Sequence, residues 1–267
     1  MAGDVIHDAR RALALLDLTE LGDTATESDV EQLCRRAVGP HGTVAAVCVW
    51  PRHVALAVEQ LWGSSVRVAT VVNFPTGDEP ISEVVATTRQ ALADGADEID
   101  LVLPYRAVLS GDTAHAAEMI DAVRAAVPRD SHRLKVILET GELGDLALVR
   151  SSAELAIDHG ADFVKTSTGK TSGNATPEAV RVMLEAIRCE RDRGGRAISI
   201  KPSGGIRTLD DARTYLGLAD EIMGVGWATP ETFRFGASGL LTALETALDT
   251  ARGGRDQSGG THDEGGY

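Results

Sequence analysis

Short runs rich in Val, Ile and Leu recur along the chain, each followed by a longer stretch with helical periodicity. The runs predict strands at 43–49, 66–73, 98–103, 134–139, 162–167, 197–201 and 220–223, with a weaker one at 15–19. They recur at roughly the 30 residues that a strand–helix unit occupies. Helices are predicted at 80–93, 112–127, 144–159 and 176–193. The last has a hydroxyl cap at Thr176, Pro177 in its first turn, and Gly194 just past its end. Its apolar positions Val180, Met183, Leu184 and Ile187 form one stripe. Strands that are apolar on both faces lie under helices and pair in parallel. About eight such units without a break predict a single (β/α)8 TIM barrel over 1–252. An open doubly wound sheet would begin with a Gly-rich first turn, and none follows the early strands. Residues 253–267 (GGRDQSGGTHDEGGY) are Gly-rich and polar, and predict a flexible C-terminal tail.

The length of 267 residues fits one barrel, a fold that runs to about 250 residues as a single domain. A hydrophobic fraction of 43% and a charged fraction of 25% exclude a disordered or fibrous chain. The formal charge of −14 argues against nucleic-acid partners and against an anionic membrane surface. No apolar run approaches the ~20 residues that span a bilayer, and the N-terminus lacks the pattern of a secretory signal. Cys34, Cys48 and Cys189 form neither a disulfide framework nor a zinc ribbon. A reduced, cytoplasmic protein is expected, as a homo-oligomer and first of all a dimer.

Several predicted strands break the apolar rule. Asp100 sits in EIDLVLPY, Lys135 in LKVILET, Lys165 in DFVKTSTGK, and Lys201 in AISIKPSGG. In a barrel, the C-terminal ends of the strands form the active face. Lys165 and Lys201 lie near such ends on consecutive strands, so two ammonium groups and the Asp100 carboxylate would share one mouth. Burying unpaired charges costs several kcal/mol each, and Leu or Met would avoid that cost. Their presence points to chemistry. A lysine beside another cation has a lowered pKa, so its neutral amine can attack a carbonyl and form a Schiff base. The iminium accepts the electrons of an adjacent C–C bond, and a carboxylate moves the protons. The spacing leaves open which lysine is the nucleophile.

Other chemistries lack their residues. The seven histidines show no metal-binding spacing, so neither a metal nor a cofactor is expected. No G-x-S-x-G elbow is present. Gly169-Lys170-Thr171 imitates the end of a P-loop, but Val164 stands where its first glycine belongs. Three loops do suit an anion: 166–170 after the Lys165 strand, 202–208 after the Lys201 strand, and 234–239 before the final helix. Small residues let backbone N–H groups approach a ligand, and a helix N-terminus adds its dipole. A small phosphorylated carbonyl compound is the expected substrate. Another phosphosugar Schiff-base enzyme, or a non-catalytic phosphosugar binder, remains open at this level.

The strings LDLT, NFPTG, GADEIDLVLPYRA, LKVILETGEL, GADFVKTSTGK, NATPE, KPSGGIRT and RFGAS resemble the 2-deoxyribose-5-phosphate aldolase family over residues 15–241. The resemblance implies a TIM barrel with an extra N-terminal helix. It implies reversible cleavage of 2-deoxy-D-ribose 5-phosphate to acetaldehyde and D-glyceraldehyde 3-phosphate, in deoxynucleoside breakdown. On it, Lys165 matches the Schiff-base lysine, Lys201 the lysine that depresses its pKa, and Asp100 the acid that relays protons with Lys201. Gly169, Lys170, Gly204, Gly205, Gly236 and Ser238 match phosphate-binding positions. Asp17 and Cys48 match positions lining the pocket, although Cys48 also reads as a plain buried strand residue. Gly239 stands where some members carry a second serine. Tyr267 matches, by its terminal position, a tyrosine that reaches the active site in some members.

Overall fold

The computed structural model describes residues 2–258. Eight parallel strands form one sheet: β1 (Leu16–Glu20), β2 (Ala46–Val49), β3 (Arg67–Val72), β4 (Glu98–Val102), β5 (Arg133–Ile137), β6 (Phe163–Lys165), β7 (Ser199–Lys201) and β8 (Phe235–Ala237). Each strand from β1 to β6 pairs with the next, and β8 pairs with β1. Parallel bridges from Ile200 to Phe233 and from Ser203 to Gly236 join β7 to the β8 segment and close the barrel. The Gly236 N–H donates to the Pro202 carbonyl at 2.9 Å across that seam.

Helices surround the strands. The sequence signals place their ends well. Asp112 caps α6 (Thr113–Ala126) by accepting from the His115 N–H. Thr176 caps α9 (Pro177–Asp192) by accepting from the Ala179 N–H. The predicted helix over 80–93 is α4 (Ile81–Ala93), and that over 144–159 is α8 (Leu146–Asp158), capped by Asp145. The extra N-terminal helix α1 (Ala2–Ala14) packs on α10 (Leu209–Met223) and α11 (Leu240–Ser258), and Arg11 forms a two-pronged ion pair with Asp220 at 2.6 and 2.7 Å.

Three expectations change. Residues 220–223 are not a strand but the last turn of α10. Thr208 and Asp211 form a reciprocal capping box that starts this helix, and Tyr215, Ala219, Ile222 and Met223 continue its buried stripe. The eighth strand instead lies in Phe235–Ala237, which the sequence reading assigned to a loop. The strand expected over 43–49 begins only at Ala46, because Gly42–Thr43 turns back on Val38–Gly39 as a two-residue ladder. At the C-terminal end, α11 spans Leu240–Ser258. Residues 259–267, and with them Tyr267, lie outside the described residues. Among the described residues no helix is long and apolar enough to cross a membrane.

Candidate active site

Alternation along a strand sends every second side chain to the same face. On β4 this puts Glu98 and Asp100 together inside the barrel. The parallel register sets Asp100 beside Lys135 of β5, and Lys165 of β6 beside Lys201 of β7. Asp17 enters from β1, and Arg234 from the residue before β8. All seven side chains are buried.

They form one ionic network centred on Asp100. One of its oxygens, Oδ2, accepts from Lys165 Nζ at 2.7 Å and Lys201 Nζ at 2.8 Å. The other, Oδ1, accepts from Lys135 Nζ at 2.6 Å. Lys201 also meets Asp17 Oδ2 at 2.6 Å, and Lys135 meets Glu98 Oε2 at 2.7 Å. Arg234 bridges the lumen, donating to Asp17 Oδ1 at 2.7 Å and to Glu98 Oε1 at 2.9 Å.

The lysines are not equivalent. Lys135 and Lys201 each have two carboxylate partners within 3 Å, whereas Lys165 has Asp100 alone. Burial pushes every buried ammonium down, and carboxylates pull it back up. For Lys135 and Lys201 the carboxylates outweigh burial, and their pKa values rise. For Lys165 burial is the largest influence. Asp100 opposes it, the Lys201 charge reinforces it, and the result lies below the ordinary lysine value. Burial alone would raise the Asp100 carboxyl, but Lys135, Lys165 and Lys201 hold it well below the usual carboxylate range.

Charge balance gives the same answer independently. The network holds four bases, Lys135, Lys165, Lys201 and Arg234, against three acids, Asp17, Glu98 and Asp100. Fully ionised, it would bury one uncompensated positive charge, which costs several kcal/mol. Losing one proton neutralises it, and the singly partnered Lys165 is the base that gives it up most readily.

Above the network opens a cavity of about 750 Å³. Lys165 lines it, together with Gly169, Lys170, Gly204, Gly205, Gly236 and Ser238, so the three predicted loops converge on one space. Gly169, Gly204 and Gly205 have φ of +77°, +89° and +79°, conformations that favour glycine. At Gly236 the reason is room: a Cβ there would lie 2.6 Å from Ser203 Cβ and 3.1 Å from Lys201 Cε. Ser238 and Gly239 lead directly into α11, whose N-terminal amides and dipole favour an anion. Nothing lies within 4 Å of where a Cβ on Gly239 would be. Lys170 reaches across the rim to Asp23 at 2.7 Å. Asp100, Lys201, Asp17 and Cys48 are fully buried and lie outside the cavity wall. Burial pushes the Cys48 thiol up, so it rests protonated rather than as the reactive thiolate.

Glu98 and Arg234 are the members of the network that the sequence reading missed. Glu98 stands two residues before Asp100, and strand alternation was the signal that pairs them. Arg234 gave no such signal, because its strand was placed elsewhere. Among the described residues no group of three or more His, Cys, Asp or Glu side chains is arranged to hold a metal ion. The carboxylates of the site all face lysine or arginine.

Comparison with known proteins gives a consistent picture. Residues 11–242 match the family described as DeoC/LacD family aldolase. A curated relative from Agrobacterium fabrum (strain C58), named deoxyribose-phosphate aldolase, is 52% identical over 242 residues, which are 90% of this chain and 91% of that protein. A crystal structure of a candidate deoxyribose-phosphate aldolase from Coccidioides immitis superposes with a TM-score of 0.76 at 30% identity, covering 89% of this chain and 86% of the other. The apo form of a candidate deoxyribose-phosphate aldolase from Toxoplasma gondii ME49 gives a TM-score of 0.83 at 26% identity, covering 92% of this chain and 98% of the other. With a family match over residues 11–242 and a curated relative 52% identical over 90% of its length, this chain belongs to the DeoC/LacD family of aldolases.

Proposed function

We propose that this aldolase reversibly cleaves 2-deoxy-D-ribose 5-phosphate to acetaldehyde and D-glyceraldehyde 3-phosphate, with Lys165 as the Schiff-base nucleophile. The observation that carries the reading is the asymmetry of the lysines. Of the three lysines in the ionic network, Lys165 alone has a single close carboxylate partner and faces the cavity.

The neutral Lys165 amine adds to the C1 aldehyde of the open-chain sugar, and loss of water from the carbinolamine leaves an iminium. The C3 hydroxyl then gives up its proton and the C2–C3 bond breaks. C3 becomes the aldehyde of the departing glyceraldehyde 3-phosphate, and the bond's electron pair moves toward the iminium nitrogen as an enamine. Protonation of C2 and addition of water release acetaldehyde and restore the amine. Asp100 and Lys201 move the protons, since both meet at the oxygen that also holds Lys165. The backbone at Gly169, Gly204, Gly205, Gly236 and Ser238, with the Lys170 ammonium, takes the phosphate. Asp17 holds Lys201 in place, and Cys48 packs beside the network. The proposed setting is deoxynucleoside breakdown in the cytoplasm, and a dimer is the proposed assembly.

Sodium borohydride added in the presence of acetaldehyde tests the assignment. Peptide mass spectrometry should find an N-ethyl group on Lys165. An adduct on Lys201 or Lys135 instead, or on none of them, rejects it. Assay of the two cleavage products from deoxyribose 5-phosphate, against fructose phosphates, tests the substrate.

A further inference from the structure

Glu139 lies just beyond β5 at the active face and belongs to neither the ionic network nor the cavity wall. Two features set it apart. Its side chain is fully buried, and its backbone has a φ of +56°. A non-glycine residue in that region costs about 1–3 kcal/mol and persists where the surroundings demand it. A buried acid adds a desolvation cost that Gln or Leu would avoid.

The carboxyl faces the loop that follows Lys165. Its Oε2 accepts from the Thr168 backbone N–H at 3.2 Å and from the Thr168 hydroxyl at 2.5 Å. Thr168 Oγ1 in turn accepts from the Lys170 N–H at 3.1 Å. A chain of bonds thus runs from a rigid strand end through Thr168 to the backbone of Gly169–Lys170. The surrounding backbone reinforces it. Leu138 N–H donates to the Lys165 carbonyl and Thr140 N–H to the Thr166 carbonyl, both at 2.9 Å. Gly141 and Gly173 pack so closely that a Cβ on Gly141 would lie 2.4 Å from Gly173 Cα. The segment carrying Glu139 and the loop it holds are therefore tied at several points. Burial pushes the Glu139 carboxyl up, and the Thr168 donors oppose that rise.

We infer that Glu139 is a positioning residue for phosphate recognition: through Thr168 it fixes the Gly169–Lys170 backbone in the conformation that receives the substrate phosphate. This rests on the reading of Gly169 and Lys170 as part of the phosphate site. A residue that merely stabilised the fold would affect all substrates alike. One that presets the phosphate loop affects phosphorylated substrates selectively.

The test compares kcat/KM for deoxyribose 5-phosphate with that for unphosphorylated deoxyribose, in wild type and in Glu139→Ala, Glu139→Asp and Glu139→Gln. Alanine removes the acceptor, and aspartate withdraws it by one methylene while keeping the acid. Both should reduce the preference for the phosphorylated substrate by about tenfold or more, equivalent to about 1.4 kcal/mol. Turnover of deoxyribose should stay within about threefold of wild type. Glutamine, which keeps an acceptor oxygen at the same reach, should restore the preference to within about threefold of wild type. An equal loss on both substrates overturns the inference, as does an Asp variant with wild-type preference. If Glu139→Ala does not fold, the Asp variant decides alone. Wild type serves as the check on the underlying reading: it should prefer the phosphorylated sugar and be inhibited competitively by inorganic phosphate. Absence of both would remove the phosphate site itself, whatever the variants do.

Discussion

At the scale of single residues, Asp100 has two duties that a substitution can separate. It holds three ammonium groups, and in the proposed mechanism it moves protons for the one that reacts. Asp100→Asn keeps the shape but withdraws the negative charge. The Lys165 ammonium then loses its only carboxylate and gives up its proton more easily, so Schiff-base formation survives. Proton transfer at the bond-breaking step does not. Borohydride should therefore still trap acetaldehyde on Lys165 in this variant, while cleavage falls by roughly 10²–10⁴. Loss of trapping together with turnover would mean that Asp100 serves chiefly to organise the amine. Lys165→Ala should abolish both readouts, since no other lysine of the network lines the cavity.

The limits of the sequence reading show at the scale of elements. Long helices with caps, such as α9, were legible because periodicity and end signals agree over many residues. The strands carrying Asp100, Lys165 and Lys201 were legible because charges in apolar runs stand out. β8 was not, because three residues with a glycine at the centre carry no period and resemble a turn. Residues 220–223 (DEIM) misled for a related reason: two acids followed by two apolar side chains at a helix end carry too little period to separate a helix from a strand. Losing β8 hid Arg234, and with it the bridge between Asp17 and Glu98. The glycine that disguises β8 is required there by its neighbours. Gly236→Ala presses a methyl against Ser203 and Lys201, so it should lower stability by roughly 1–3 kcal/mol. Gly239→Ala, in open space at the same loop, should stay within about 0.5 kcal/mol of wild type. Urea melts of both variants check this contrast. Equal effects would show that crowding does not dictate Gly236.

At the scale of the whole molecule, the barrel behaves as a container whose charge must sum to nearly zero. Arg234 and Glu98 make no direct contact with Lys165 among the described bonds, yet the charge balance predicts that each of them moves its protonation. In the proposed mechanism the neutral amine reacts, so kcat/KM should rise with pH as Lys165 loses its proton, at a pH below that of an ordinary lysine. Arg234→Met removes one positive charge. The three remaining bases then match the three acids with Lys165 protonated, so its pKa rises and the acid limb moves to higher pH. Glu98→Gln removes one negative charge, and the limb moves to lower pH. At an effective dielectric near 20, a charge several ångströms away displaces the limb by roughly one pH unit. Arg234→Met should also cost roughly 3–5 kcal/mol of stability, because Asp17 and Glu98 lose their guanidinium. The opposed directions make the test strict. Damage to packing would lower rates in both variants without moving the two limbs apart. If both limbs shift the same way, or neither moves, local contacts rather than the net charge of the barrel interior govern the reactive amine.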